Sequence, residues 1–347
     1  MNTPPLVTAL LSAALLSTAF TATTTPHTTV SPAPSVSPAP AAAAGSLPPA
    51  VVRGAQALVP EGADWDPHRR AFVIGSALHG TVSLVDARGR VRTLASPPGL
   101  VSTFGVRVDA ARQRLLTAYS DPGMGTAGTP GTRGRLSGLA ILDLRSGRLL
   151  RKVPLDLGPG PHGANDVALD PAGRAYVTDS LTGTVYRVDL RGRVSVVVRD
   201  GRLAGVGGAP GLNGVVWHPD GHLIVGQYGS GRFYRVFPHS HHRRVGEVAL
   251  DRPVVGADGM TVRPDGSLLV VANALAAPGG RATVWVLESK DGWRTAHVEC
   301  EAGPWADAAP TAAVPTPYGV YVLDGGLDTL GGPEPAGFVL RRFGPPE

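Results

Sequence analysis

The chain has 347 residues, 43% hydrophobic and 17% charged, with 46 glycines and 33 prolines. That is apolar material for a large core with the turn residues of β architecture, and it excludes a chain disordered throughout. The net charge of +5 is carried by arginines scattered along the chain (only Lys152 and Lys290 are lysines), so no nucleic-acid partner is expected. The single cysteine, Cys300, excludes an internal disulfide and a cysteine metal cluster, and it reads as a small buried hydrophobe.

In chain order, Leu6 to Ala22 come first, an apolar stretch rich in Leu and Ala. It is too short and too polar for a membrane span and has the character of a secretory signal core, although no Lys or Arg precedes it. The expectation is a signal peptide over 1–22, a disordered Thr/Ser/Pro/Ala linker over 23–49, and a folded unit over 50–347. The mature chain is then a secreted, extracellular monomer with no stable membrane span.

From residue 61 onward one phrase recurs. Asn213-Gly214-Val215-Val216-Trp217-His218-Pro219-Asp220-Gly221 is matched by Asp258-Gly259-Met260-Thr261-Val262-Arg263-Pro264-Asp265-Gly266 and by the run from Asn165 to Gly173. Looser copies start at Glu61, Phe104 and Pro310. The spacing suits four-stranded propeller blades of roughly 40–50 residues, with one longer step. Second strands are expected over 70–75, 114–119, 174–178, 222–227, 267–272 and 318–323. The sixth copy lacks a fourth strand, and the run Val51 to Leu58 is expected to supply it and close the ring. The predicted fold is therefore an all-β, six-bladed β-propeller.

In a propeller the first strand of each blade lines the central channel, so residues at one phase of the repeat converge on one axial point. That phase holds Glu61, Asn165, Asn213 and Asp258, with Asp166 beside Asn165. Oxygen donors of mixed charge suit a hard divalent cation such as Ca²⁺, and the absence of His and Cys there argues against zinc. Facing carboxylates repel unless a cation lies between them. The competing reading is that Asn-Gly and Asp-Gly are simply turn dipeptides.

Glu61-Gly62 with Trp65, Asn165-Asp166 with Asp170-Pro171, Asn213-Gly214 and Asp258-Gly259-Met260 together resemble the SMP-30/gluconolactonase family of six-bladed propellers. The resemblance implies that Glu61, Asn213 and Asp258 bind a divalent metal and that Asn165 lies near metal and substrate. It also implies hydrolysis of a small-molecule lactone or ester, with Asp258 as general base. Gly163 stands where well-studied sugar lactonases carry an arginine, and the first motif reads Glu-Gly-Ala in place of Glu-Gly-Pro.

His162 is a second candidate base, since imidazole titrates near neutrality. The ends of the second strands, Tyr119, Asp121, Asp179, Ser180, Tyr228, Asn273 and Asp324, should ring the same mouth, and Asp166 on a first strand should also contact substrate. The Gly/Pro/Thr-rich stretch from Asp121 to Arg135 reads either as a lid or as a disordered insertion. No Gly-x-Ser-x-Gly elbow and no phosphate loop occurs. Two further readings stand beside the hydrolase. One is a binding propeller with a structural calcium ion, and the other is a metal-independent propeller like the strictosidine-synthase group.

Overall fold

The computed structural model describes residues 47–53, 58–205, 208–240, 244–332 and 337–344. The expected signal peptide and nearly all of the expected linker lie outside them. Among the described residues there are twenty-four strands and no α-helix. Strand β1 is Ala50–Arg53. Strands β2–β5 are Ala63–Asp66, Ala71–Gly75, Val82–Val85 and Val91–Ala95. Strands β6–β9 are Ser102–Asp109, Arg114–Ser120, Ser137–Asp143 and Leu149–Pro154. Strands β10–β13 are Ala164–Leu169, Ala175–Asp179, Thr184–Val188 and Val194–Arg199. Strands β14–β17 are Leu212–His218, His222–Gln227, Arg232–Val236 and Val245–Leu250. Strands β18–β21 are Ala257–Val262, Leu268–Ala272, Thr283–Glu288 and Thr295–Ala302. Strands β22–β24 are Pro310–Thr316, Gly319–Asp324 and Phe338–Arg342.

Each group folds as an antiparallel meander, because short tight turns join β-branched runs. The result is an all-β, propeller-like fold in five sheets. Four sheets have four strands. The fifth has eight, because β17 runs parallel to β21 over Ala249–Thr295 and Leu250–Ala296 and fuses two meanders. The sequence led us to expect separate four-stranded sheets. Two outer edges instead pair with each other over two residues, which shields that part of each edge.

The early strand pairs with the last one, as expected. β1 joins β24 antiparallel, with Val51 opposite Leu340 and Arg53 opposite Phe338, and completes the sheet β1-β24-β23-β22. Of the expected run Val51 to Leu58, β1 covers Val51 to Arg53, and residues 54–57 lie outside the described residues.

Six apolar clusters fill the spaces between neighbouring meanders. One of them spans the last and first units, with Val51, Phe72, Ile74, Tyr321, Phe338 and Leu340. There Phe72 meets Tyr321 edge to face at 5.2 Å, and the Tyr321 hydroxyl donates to Pro48 O at 2.6 Å. Burying each large aliphatic or aromatic side chain contributes about 1.5–3 kcal/mol. Strands β2, β6, β10, β14, β18 and β22 lie innermost, each against the next, with β22 against β2. Cys300 departs from expectation: it is half-buried on the outer strand β21, not a core residue.

Candidate functional site

The Asn-Gly and Asp-Gly pairs are not turns. Asn213-Gly214 lies inside β14 and Asp258-Gly259 inside β18. Each sits on a register shift in its strand pairing, between Leu212 and Val215 and between Ala257 and Met260. Similar shifts fall between Thr103 and Val106, Ala164 and Val167, and Pro310 and Ala312. A bulge inserts an unpaired residue and re-aims its side chain. Here it turns the first polar residue of the phrase toward the axis. The glycine that follows answers a second need. A Cβ on Gly214 would sit 2.2 Å from Asp258 O, and one on Gly259 2.4 Å from Thr311 O. Adjacent inner strands therefore touch backbone to backbone at this level.

Glu61, Asn165, Asp166, Asn213 and Asp258 line one deep void of about 10 Å³, the room of a single water- or ion-sized body. Glu61, Asp166, Asn213 and Asp258 are all buried. Asn273 Nδ2 donates to Asp258 Oδ2 at 2.7 Å and to Pro310 O at 2.9 Å, and the Tyr228 hydroxyl donates to Asn273 Oδ1. Thr178 Oγ1 donates to Asn213 O at 2.7 Å and accepts from Asp166 N at 3.1 Å. Asp166 accepts from Val215 N at 3.1 Å and is 3.4 Å from an Arg107 guanidinium nitrogen.

Two oxygens in this set have no partner: Asp258 Oδ1 and Asn165 Oδ1, both buried. Burial pushes the Asp258 carboxyl up to about 7, and the Asp166 charge adds to this, while the Asn273 and Asn213 amides oppose it. Burial, then the charges of Asp258 and Asp166, raise Glu61 well above the usual carboxylate range, and Arg107 pulls it back. Unpaired buried oxygens and mutually repelling carboxylates are the conditions a hard cation relieves. Among the described residues no group of three or more His, Cys, Asp or Glu is arranged to hold a metal by itself. The oxygens that fit a Ca²⁺-like ion are two carboxylates supplemented by two amides.

Above the void opens a second cavity of about 170 Å³, whose lining includes Glu61, Asn165, Asn213 and Asp258 at its floor. Phe104, Met124, Leu181, Pro210, Leu275 and Leu327 are among its walls. On the far side of the void, Arg107 also lines a third cavity with Asp64, Trp217 and Pro315.

No protein-family model and no curated protein matches the chain. Many solved structures do. The major allergen Mala s 1 of Malassezia sympodialis aligns over 85% of this chain and 96% of its own, with TM-score 0.66 and 17% identity. A gluconolactonase from Xanthomonas campestris aligns over 84% and 88%, with TM-score 0.58 and 18% identity. The calcium-binding protein regucalcin from Agrobacterium tumefaciens aligns over 82% and 90%, with TM-score 0.55 and 16% identity. The likeness is one of fold. The gluconolactonase and regucalcin among them are of the kind that the sequence motifs resemble.

Several predicted mouth residues stand elsewhere. Tyr119 is 1% exposed and packs in the cluster between the first two meanders, with Lys152 Nζ 5.2 Å from its ring. Its neighbour Ser120 reaches the cavity instead. Asp179 is fully buried and does not line the cavity; it takes His162 Nδ1 at 2.8 Å and the backbone N–H of Gly163 at 3.1 Å. Asn273 is likewise buried behind Asp258. Asp324 accepts from Ala309 N and Gly326 N and fixes a loop. Asp166 faces the deep void, not the mouth, while Tyr228 does line the mouth.

His162 lines the cavity but is buried and clamped, with Nδ1 on Asp179 and Nε2 3.2 Å from Gly158 O. A neutral imidazole has one N–H for these two acceptors, so Asp179 orients the ring while His162 stays on the cavity wall. The stretch from Asp121 to Arg135 is a folded wall. Thr132 Oγ1 donates to Asp121 Oδ2 at 2.6 Å, Thr126 N donates to Leu78 O at 2.8 Å, and Met124 faces the cavity. Sequence reasoning missed Arg107, Thr178 and the apolar walls. Arg107 lies three residues after Phe104 on an innermost strand, a signal that repeat phase alone could have supplied.

Proposed function

We propose that the protein is a secreted, divalent-cation-dependent hydrolase of lactones or related esters, acting where the mouth cavity meets the deep void. In the same reading the six meanders are six blades of one closed ring, completed by β1, and residues 1–22 direct export. One observation carries the reading: two buried, unpartnered oxygens, on Asp258 and Asn165, in a void the size of one ion. The fold shared with a gluconolactonase and a calcium-binding regucalcin agrees with it.

Glu61, Asn165, Asn213 and Asp258 would hold the cation. When bound, it would supply polarisation of a carbonyl and compensation of developing negative charge. Asn273 and Tyr228 hold Asp258 in one orientation, leaving Oδ1 as the carboxylate oxygen free to contact the ion or a proton. Arg107 sits among the carboxylates and limits their repulsion. The walls of Phe104, Met124 and Leu275 keep bulk water from the reacting carbonyl.

The test is a panel of lactones and aryl esters, assayed before and after chelation and with Asp258→Ala. Turnover should vanish on chelation, return with Ca²⁺, and fall about 100-fold or more in the variant. Turnover that survives chelation overturns the reading. Both His162 nitrogens lie near acceptors of the protein, and this favours one second reading, a binding propeller with a structural ion. That reading predicts thermal stabilisation by Ca²⁺ with no turnover of any panel member.

A further inference from the structure

Resting on the hydrolase reading, we infer that the substrate carries an apolar alkyl or aryl group and is not a polyhydroxylated sugar lactone. The mouth cavity of about 170 Å³ is walled by Phe104, Met124, Leu181, Pro210, Leu275 and Leu327. Apart from the Ser120 hydroxyl, the polar side chains among these walls are engaged within the protein. Asp121 takes Gly123 N and Thr132 Oγ1. Ser180 Oγ donates to Leu212 O. The Tyr228 hydroxyl donates to Asn273 and accepts from Ala276 N at 3.1 Å. His162 is held at both nitrogens.

A sugar lactone would therefore bury most of its hydroxyls against apolar walls, with few hydrogen bonds to offset their loss of water, which is unfavourable. Among the described residues no lysine or arginine lines the cavity, so no side chain there pairs with an anionic substituent. Leu181 is 47% exposed at the rim, an apolar surface that an alkyl chain would cover. Polar side chains gather at the floor, where a carbonyl would sit, and most of the remaining wall rewards apolar area.

Hydrolysis forms a bond from the water oxygen to the acyl carbon and breaks the bond from that carbon to the ring oxygen. The ring oxygen takes one proton, and the new acid releases another to the medium, which a pH-stat reads.

The experiment compares kcat/KM for γ-butyrolactone, its ethyl, butyl and hexyl derivatives and glucono-δ-lactone on the Ca²⁺-loaded protein. The matching alkyl lactams and gluconolactam serve as non-hydrolysed probes of thermal shift. The expected result is a rise of at least tenfold along the alkyl series, with the sugar lactone about 100-fold below its best member. Met124→Gln and Leu275→Asn should each lower the alkyl values about tenfold while leaving the Ca²⁺-induced thermal shift unchanged. A sugar lactone equal to or better than the alkyl lactones overturns the inference and leaves the hydrolase reading intact. If nothing is turned over, the hydrolase reading fails, and the lactams decide this one. Stabilisation by alkyl lactams alone sustains it, and stabilisation by gluconolactam or by no lactam overturns it.

Discussion

Asp258 combines a buried carboxyl with an oxygen that finds no partner in the protein. Its carboxyl is buried, one oxygen is held by Asn273, the other is unpartnered, and burial raises its pKa to about 7. A group whose folded-state pKa lies above its unfolded value of 3.8 contributes stability below about pH 4 and loses it as pH rises through 7. Glu61 shifts in the same direction. The chelated protein should therefore melt progressively lower between pH 4 and 7. Excess Ca²⁺ should flatten that slope, and Asp258→Asn should reduce it without Ca²⁺. Calorimetry across this range checks the sign, and a chelated protein that gains stability over it would contradict the assignment. At this scale the sequence also erred. Tyr119 was placed at the mouth, yet β7 is buried on both faces, so alternation cannot say which face its side chains take.

At the scale of the strand, the phrase that repeats is a bulge followed by a glycine. The bulge aims the donor inward and the glycine lets the next inner strand approach. The dipeptides were legible as a periodic signal, but their spelling is also that of turns, and only strand pairing separates the two. Gly214→Ala would press a methyl group onto Asp258 O, part of the very strand that carries a donor. It should cost about 1–3 kcal/mol and weaken Ca²⁺ binding measured by titration calorimetry. Gly201→Ala is the control, because a Cβ there meets nothing within 4 Å. It should leave both stability and Ca²⁺ affinity unchanged.

For the whole molecule, the decisive feature is the pairing of a strand near residue 50 with one near residue 340. The apolar cluster behind it joins the first and last meanders. Val51 is 2% exposed there. Val51→Asp would bury an unpaired charge and should cost about 3–5 kcal/mol, read as a lower urea midpoint. Val196→Asp, at a residue 37% exposed on β13, should shift the midpoint far less. Equal effects would mean that the junction contributes little to stability. The fusion of β17 with β21 was invisible beforehand, because pairing between outer strands needs no sequence pattern beyond their being strands.

Periodicity in the sequence was sufficient for the all-β class, the repeat boundaries, the early strand that pairs with the last, and the convergence of Glu61, Asn165, Asn213 and Asp258 on one void. Each of these follows from local spacing that rotation about an axis repeats. Tertiary structure alone decided that His162 is clamped, that Asp179 and Asn273 stand behind the site, that Arg107 lies among the carboxylates, and that the mouth is walled by apolar side chains. Those facts depend on contacts between residues of different strands, often of different meanders, and no spacing along the chain encodes which side chains meet across the space between them.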